Sequence, residues 1–219
     1  YVGHPLLDEM LKLKSVNRKV FLKQNNLDPK KEVIALLPGS RKQEVSRMLE
    51  VMLKMVDEYP NYQFVIGCAP SLPESFYKSI IDKENVHLLF NKTYPLLQVA
   101  SAALVTSGTA TLETALLYVP EVVCYKGNKI SYLIAKNLIK VKYICLVNLI
   151  MDKPVVKELI QNDLTPENIK QELDLLLTNH AKQRAVLEDY DELRHVLGDA
   201  GASDNAASII VSDLKKDIR

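Results

Sequence analysis

Residues 102–113 have the sequence Ala102-Ala103-Leu104-Val105-Thr106-Ser107-Gly108-Thr109-Ala110-Thr111-Leu112-Glu113. The first four residues are apolar and predict a buried strand, which ends at a small, hydroxyl-rich turn around Gly108. A helix-forming segment follows at once and carries an early carboxylate, Glu113. A strand that passes through such a turn into a helix is the building unit of an α/β fold.

The same turn is a candidate anion site. At the start of the helix several backbone N–H groups have no intrahelical partner, and together with the positive end of the helix dipole they can hold a diphosphate. Glu113 lies one turn later, at a suitable reach to accept hydrogen bonds from the two hydroxyls of a ribose. This interpretation favours a nucleotide-sugar site. Taken alone, the run fits an ordinary strand-to-helix turn equally well, because the dipole itself favours an early acid.

Short apolar runs alternate with longer amphipathic runs through the first part of the chain. The short runs predict strands over residues 33–37, 63–67, 86–90, 102–105 and 121–125. The longer runs between them predict helices over residues 42–59, 74–81, 94–100 and 111–118. Strands that alternate with helices imply a mainly parallel sheet with right-handed crossovers. We therefore expect a Rossmann-like α/β fold in which helices flank the sheet.

After residue 125 the pattern becomes mostly helical. It predicts a helix over 130–140, a short strand over 143–146, a helix over 154–161, and then helices alone over 166–177, 181–197 and 202–214. Three parts result. Residues 1–32 form a hinge segment and lead-in, residues 33–165 form the nucleotide-sugar-binding domain, and residues 166–219 form a helical tail. We expect the tail to pack on that domain or on an amino-terminal domain absent from this sequence.

The composition is that of an ordinary globular protein, with 47% hydrophobic and 25% charged residues. A net charge of +1 gives no general nucleic-acid signal, so no nucleic-acid partner is expected. Cys68, Cys124 and Cys145 have no metal-ligand spacing, and we expect buried free thiols in a reducing cytoplasm. No apolar run reaches the ~18 to 20 residues of a membrane span, and no signal peptide is predicted. The start at Tyr1, without Met, leads us to expect a fragment of a longer protein.

A second polar turn, Pro38-Gly39-Ser40-Arg41, opens the first long helix. Ser40 and Gln43 have the spacing of a capping box, and Gly39 permits a tight turn and close approach by a ligand. Arg41 opposes the helix dipole, which makes sense if an anion lies there for its guanidinium to bind; a solvated arginine is the alternative. Glu44 either orients Arg41 or satisfies the dipole. Because ligands gather beyond the carboxyl ends of parallel strands, we expect the site at the turns after residues 37, 105, 125 and 146.

Three further features allow two interpretations each. Tyr125 and Lys126 follow a strand and belong either to a substrate pocket or to an ordinary polar turn. Asn148 either binds substrate hydroxyls or a phosphate, or caps the local backbone. The lysines of residues 129–142 fit an anionic membrane surface, although a helix with one core face and snorkelling lysines is favoured; they are Lys129, Lys136, Lys140 and Lys142. No clear catalytic base emerges.

Four motifs together, in this order and spacing, closely resemble the lipid-A-disaccharide synthase family; they are Gly3-His4-Pro5, Leu36-Leu37-Pro38-Gly39-Ser40-Arg41-x-x-Glu44-Val45, Ser107-Gly108-Thr109-Ala110-Thr111-Leu112-Glu113 and Val147-Asn148-Leu149-Ile150. The resemblance implies a two-domain, inverting glycosyltransferase of the GT-B type, a hexosyltransferase. Such an enzyme joins UDP-2,3-diacylglucosamine to 2,3-diacylglucosamine 1-phosphate (lipid X) and releases UDP in lipid A biosynthesis. The chain resembles the carboxyl-terminal, UDP-binding part, so we expect it to be inactive alone, with the catalytic base on the missing domain.

The resemblance also implies which residues bind the UDP-sugar. They are Gly39, Ser40, Arg41, Ser107, Gly108, Thr109, Ala110, Thr111, Glu113, Tyr125 and Asn148. Among them Arg41, Ser107 and Thr109 stabilise the diphosphate, with Arg41 acting on the leaving group; Glu113 holds the ribose, and Asn148 lies by the donor sugar or phosphate. No cofactor and no metal are expected. The chain departs from the family pattern at Glu121 and Lys126, where Met and Arg are more usual.

The implied partners are the UDP-diacylglucosamine donor, the acylated glucosamine phosphate acceptor, the missing amino-terminal domain and a membrane surface. The expected location is the cytoplasm, peripheral to the cytoplasmic face of the inner membrane of a Gram-negative bacterium. The oligomeric state is left open, with a homo-oligomer among the alternatives. Two other functions stay open at this point. One is another UDP-sugar enzyme on the GT-B scaffold, such as a UDP-N-acetylglucosamine 2-epimerase, and the other is a non-catalytic nucleotide-binding or membrane-docking module.

Overall fold

The structure, a computed structural model, describes residues 1–127 and 142–217. Its centre is a parallel sheet of six strands: β1 (Glu32–Leu37), β2 (Tyr62–Cys68), β3 (Val86–Phe90), β4 (Ala102–Thr106), β5 (Glu121–Tyr125) and β6 (Lys157–Ile160). The strand order is β3-β2-β1-β4-β5-β6, and every neighbouring pair is parallel. The winding direction therefore reverses between β1 and β4. The expected Rossmann-like fold is confirmed.

Helices cover both faces of this sheet and form the end of the chain. In chain order they are α1 (Pro5–Leu11), α2 (Arg18–Gln24), α3 (Lys42–Met52), α4 (Met55–Glu58), α5 (Glu74–Lys78), α6 (Thr93–Leu97), α7 (Thr109–Leu116), α8 (Leu146–Met151), α9 (Pro166–Thr178), α10 (His180–Val196) and α11 (Ala202–Asp217). A short 3-10 turn, Gln161–Asp163, follows β6. The expected helix over residues 42–59 is two helices, α3 and α4.

The core has two apolar clusters, one on each face of the sheet. Successive residues of β1 alternate between them, so that Ile34 and Leu36 pack into one cluster, while Val33, Ala35 and Leu37 pack into the other. All five are buried. This is why the strand reads as a continuous apolar run rather than as an alternating pattern.

The helical tail begins as part of this core. Leu173 of α9 and Tyr190 of α10 are buried in the same cluster as Ile34 and Leu36. The end of the tail returns to the start of the chain, where the Asp8 carboxylate of α1 accepts hydrogen bonds from the backbone N–H groups of Gly201 and Ser203. These hydrogen bonds lower the pKa of Asp8. The tail helices expected from Pro166 onward are confirmed.

Two predictions after residue 125 are wrong. Residues 143–146 form no strand; Cys145 instead begins α8 as its N-cap. The helix expected over 154–161 is replaced by β6, the edge strand of the sheet, which pairs with β5. Short apolar runs do not by themselves distinguish helix from strand, and here the pairing with β5 decides. The helix expected over 130–140 lies outside the described residues.

Glu121, at the start of β5, is a carboxyl group inside the core. Its exposed fraction is 1%, and neither carboxyl oxygen has a hydrogen-bond partner among the described residues. Burial raises its pKa well above the ordinary value, because the charged form loses its hydration. Cys124, Cys145 and Tyr190 lie close to it, and burial raises the pKa of each, so all three are neutral in the physiological range. Burial therefore favours the protonated form of Glu121 in the folded state.

We predict that Glu121→Met raises stability and flattens its pH dependence. The unfolded chain releases this proton above about pH 4.3, whereas burial makes the folded chain retain it to a higher pH. The contribution of Glu121 to the free energy of unfolding therefore falls by about 1.4 kcal/mol for each pH unit above that value, until the folded-state pKa is reached. Urea unfolding between pH 5 and pH 8 measures this slope. Glu188→Met, at an exposed glutamate of α10, is the matched control. A slope unchanged by Glu121→Met would contradict the assignment.

Candidate functional site

The two polar turns expected to form the site meet at the carboxyl edge of the sheet. Strands β1 and β4 are neighbours, with Leu37 opposite Val105, so the turns that follow them lie side by side. Between them is a cavity of ≈ 570 Å³, which we call the cleft. Its walls come from both turns and from the loop after β2; they include Gly39, Ser40, Arg41, Glu44, Ser107, Gly108, Thr109, Ala110, Glu113, Cys68 and Ala69.

The first turn is built around Gly39. Its φ of +102° favours glycine, and a Cβ at this position would overlap the Glu44 carboxylate. The backbone N–H of Ser40 donates to Glu44 Oε2 at 3.2 Å. Glu44 thus closes the turn, and it does so without an ion pair to Arg41.

The expected capping box of Ser40 and Gln43 is wrong. The N-cap of α3 is Arg41, one residue later than expected, and its side chain caps no backbone N–H group. Counted from Arg41, the third helical position is Glu44, and its carboxylate reaches back to the turn. The Arg41 side chain is left exposed at the mouth of the cleft, with no ion pair within residues 1–127 and 142–217.

The second turn leads into α7, which begins at Thr109 with Gly108 as its N-cap. The first N–H groups of an α-helix have no intrahelical acceptor, and those of Thr109 and Ala110 belong to residues that line the cleft. Thr111 is different: it is fully buried and its hydroxyl donates to the Gly108 carbonyl at 2.8 Å. The Ser107 hydroxyl donates to the Ile144 carbonyl at 3.0 Å. Both of these hydroxyl protons are therefore used within the protein.

Thr106 is a cleft residue that the sequence reasoning missed. It ends β4 with 4% exposure, lines the cleft, and its Oγ1 has no hydrogen-bond partner among the described residues. A buried hydroxyl without a partner is unfavourable, so a polar ligand atom in the cleft would stabilise it. The sequence signal that could have identified Thr106 is its position between the apolar strand residues and the turn.

Glu113 lies in the cleft wall and accepts a hydrogen bond from the Tyr94 hydroxyl at 3.0 Å. Burial and the neighbouring carboxylate raise the pKa of Tyr94 to about 12, because both disfavour a phenolate. The phenol is therefore a fixed donor to Glu113 Oε1, and the carboxylate keeps its second oxygen for other donors. Sequence reasoning missed Tyr94, which comes from α6 and carries no motif of its own.

A second, smaller cavity of ≈ 360 Å³ adjoins the cleft on the side of β5. Tyr125 and Lys126 line it, together with the first turns of α3. Arg41, Glu44 and Thr106 line both cavities. The turn after β5 therefore lies at the same edge of the sheet as the other two turns, as expected, but it lines the smaller cavity and not the cleft.

Asn148 lines neither cavity, and its contacts fit the second of its two interpretations, a cap of the local backbone. It is 1% exposed; its amide nitrogen donates to the Val156 carbonyl at 2.9 Å and to Glu158 Oε1 at 3.1 Å, and its oxygen accepts from the Val156 N–H at 3.0 Å. Glu158 also accepts from the N–H groups of Ile144 and Cys145. The reason is that α8 follows Cys145 in place of a strand and directs the amide toward β6. Asn148 is thus a structural residue in this conformation.

Other expectations concern metals, thiols and membranes. The described residues contain no group of three or more His, Cys, Asp and Glu side chains that could hold a metal ion. Cys68, Cys124 and Cys145 are buried and free, as expected from the sequence. No helix in residues 1–127 and 142–217 has the length and apolar character needed to cross a membrane. The basic stretch lies almost wholly outside the described residues.

A doubly wound sheet with a polar cleft at the β1–β4 reversal is the arrangement of nucleotide-binding Rossmann-like domains. The structure of UDP-GlcNAc 2-epimerase from Neisseria meningitidis bound to UDP-GlcNAc matches with a TM-score of 0.59 and 17% identity, covering 98% of this chain and 54% of that one. WaaG, a glycosyltransferase involved in lipopolysaccharide biosynthesis, matches with a TM-score of 0.57 and 15% identity, covering 90% and 51%. The chain has the fold of a GT-B glycosyltransferase domain.

Sequence comparison identifies the family within this fold class. The model of the lipid-A-disaccharide synthetase family matches residues 1–210. Lipid-A-disaccharide synthase of Syntrophus aciditrophicus is 41% identical, over 99% of this chain and 58% of its own length, and that of Coxiella burnetii is 36% identical, over 96% and 56%. The chain belongs to the lipid-A-disaccharide synthetase family, and it spans a little over half the length of these curated relatives.

We predict that Asn148→Ala destabilises the protein. The substitution leaves the buried N–H and carbonyl of Val156 without their partners and removes one donor from Glu158, which we expect to lower the free energy of unfolding by about 1 to 3 kcal/mol. Urea unfolding measures the loss. Asn162→Ala, at an exposed asparagine of the 3-10 turn, is the matched control and should change little. Equal stability of the Asn148 variant and the wild type would refute the structural role.

Proposed function

We propose that this chain is the donor-binding part of an inverting hexosyltransferase of lipid A biosynthesis. The transferred group comes from UDP-2,3-diacylglucosamine, the acceptor is 2,3-diacylglucosamine 1-phosphate, and UDP leaves. The observation that carries the proposal is the cleft, in which Arg41, the first N–H groups of α7 and Glu113 surround one space. The membership of the family and the names of the relatives support the choice of substrates.

In this proposal the diphosphate lies between the two turns. The N–H groups of Thr109 and Ala110 and the positive end of α7 meet one side of it, and the Arg41 guanidinium meets the other. Negative charge develops on the diphosphate as the sugar leaves. Donors already fixed at that position stabilise the departing group without reorganisation, and this is the contribution of the chain to catalysis.

The ribose lies against Glu113. The Tyr94 hydroxyl fixes one carboxylate oxygen, so the other can accept hydrogen bonds from the ribose hydroxyls. The cleft thus has a cationic end for the diphosphate and an anionic end for the sugar of the nucleoside. This order matches the order of groups in a nucleoside diphosphate.

The base that activates the acceptor hydroxyl is proposed to lie outside these residues. Within the cleft the carboxylates are Glu44 and Glu113, and each already accepts a hydrogen bond that holds it in the wall. Glu44 is held in the turn, and the remaining oxygen of Glu113 is assigned to the ribose, so this proposal leaves neither carboxylate for general-base catalysis. We therefore expect the chain alone to bind UDP without turning over substrate. Peripheral attachment at the cytoplasmic face of the inner membrane, where acylated substrates lie, belongs to the same proposal, as does action without a metal cofactor.

We predict that Arg41→Ala and Glu113→Ala each weaken UDP binding by ~1 to 3 kcal/mol, because each removes charge-assisted hydrogen bonds. Isothermal titration calorimetry of this chain with UDP measures the effect. Arg184→Ala, at an exposed arginine of α10, is the matched control and should bind like the wild type. Wild-type affinity for UDP in both site variants would refute the assignment of the cleft as the UDP-binding site. Product analysis of the longer protein with acylated and non-acylated donors separates this transferase from another UDP-sugar enzyme.

We predict that Tyr94→Phe weakens UDP binding less than Glu113→Ala, by about 0.5 to 1.5 kcal/mol, because the carboxylate loses its fixed position but not its charge. The double variant Tyr94→Phe with Glu113→Ala should bind no more weakly than Glu113→Ala alone, since the tyrosine acts through the glutamate. Additive losses in calorimetry would show instead that Tyr94 acts independently of Glu113.

A further inference from the structure

Among the described residues, cationic side chains predominate in the walls of the smaller cavity beside the cleft. Its walls include four cationic side chains, Arg41, Lys42, Arg47 and Lys126. None of the four forms an ion pair among the described residues. The chain as a whole is almost neutral, with a net charge of +1. Four cations around one space of ≈ 360 Å³, without an ion pair to any residue of 1–127 or 142–217, are therefore a local feature, and such a feature attracts an anion.

The carboxylate at this cavity does not cancel that charge. Glu44 lines both cavities, but its carboxylate accepts from the Ser40 N–H and lies against Gly39, in the turn of the cleft. Arg47, in contrast, lines the smaller cavity and not the cleft. The Lys42 ammonium lies 5.6 Å from the centre of the Phe76 ring. Arg47 is thus the guanidinium available for a second anion while Arg41 serves the cleft.

A neutral hydroxyl marks the boundary between the two spaces. Thr106 lines both cavities and is only 4% exposed. Its Oγ1 has no hydrogen-bond partner among the described residues. A buried hydroxyl can donate one hydrogen bond and accept others. This second observation, independent of the cations, points to a polar ligand atom at the boundary.

We propose that the smaller cavity binds the phosphomonoester of the acceptor, with Arg47 as its specific ligand. This assignment rests on the proposed function, in which the acceptor is a sugar 1-phosphate. The hydroxyl that attacks and the phosphate belong to one hexose, so the phosphate must bind near the donor's sugar and diphosphate. The smaller cavity meets this requirement, because it shares the walls of Arg41 and Thr106 with the cleft. A bidentate guanidinium suits a terminal phosphate, which presents several oxygens.

The test uses this 219-residue chain, saturated with UDP, and glucosamine 1-phosphate as the probe in calorimetry. We expect saturable binding to one site, weakened by added salt. Arg47→Gln should weaken it about tenfold or more and leave the UDP dissociation constant within about twofold of the wild type. Arg184→Gln, at an exposed arginine of α10, is the matched control. Far-UV circular dichroism checks that each variant is folded.

Each outcome has a separate meaning. If UDP binds but glucosamine 1-phosphate does not, or binds equally to the Arg47 variant, the second site is refuted and the proposed function stands. If glucosamine 1-phosphate binds through Arg47 in the presence of excess UDP, while calorimetry with UDP alone shows no binding, the sugar-phosphate site stands and the donor cleft is refuted. Vesicles with phosphatidylglycerol distinguish the other phosphate source. Arg47-dependent sedimentation with these vesicles, without binding of the sugar phosphate, would assign the cavity to lipid headgroups and overturn the proposal.

Discussion

The pairing of β1 with β4 is the constraint on which the rest of the site depends. Residues 34–37 lie opposite residues 102–105 in parallel register, so two strands that are distant in sequence end side by side at the same edge of the sheet. Each strand leads into a helix that starts at this edge, α3 from one and α7 from the other. Two positive helix ends therefore converge on one space. An anion in this space would interact favourably with both helix ends. Without the pairing of β1 with β4, neither turn alone would form a cleft.

The charges at this edge are divided between fixed and free groups. Glu44 is held by the Ser40 N–H and Glu113 by the Tyr94 hydroxyl, so the negative charges occupy defined positions in the wall. The cations at the same edge have no such partners within the described residues. A protein that leaves cations unpaired beside restrained carboxylates favours anionic ligands over cationic ones. A nucleoside diphosphate and a sugar phosphate, bound side by side, would interact with both sets of charged groups, the restrained carboxylates and the free cations.

The sequence was informative where structure is local. Five strands were predictable because their apolar runs are short and end at turn residues, and the turn after β1 was recognisable by Gly39 and Arg41. Strand β6 was not, because residues 155, 156, 159 and 160 are apolar at a spacing that fits a helix, and its pairing with β5 is a tertiary contact. The same limit hid Tyr94 and left the two interpretations of Asn148 open. The contact of Tyr94 with Glu113 of α7 and the contacts of Asn148 with Val156 and Glu158 are set by tertiary packing, which the local sequence does not show.

Two of the buried side chains that lack a hydrogen-bond partner within residues 1–127 and 142–217 lie at opposite ends of the sheet. Thr106 lies at the carboxyl end of β4 and Glu121 at the amino end of β5. The Thr106 hydroxyl faces cavities, so a ligand can supply its missing hydrogen bond. Glu121 is enclosed by the core and lines neither cavity, so protonation is what reduces its desolvation. The unpaired Thr106 hydroxyl is therefore open to a ligand in the cavities, whereas the enclosed Glu121 carboxyl costs stability.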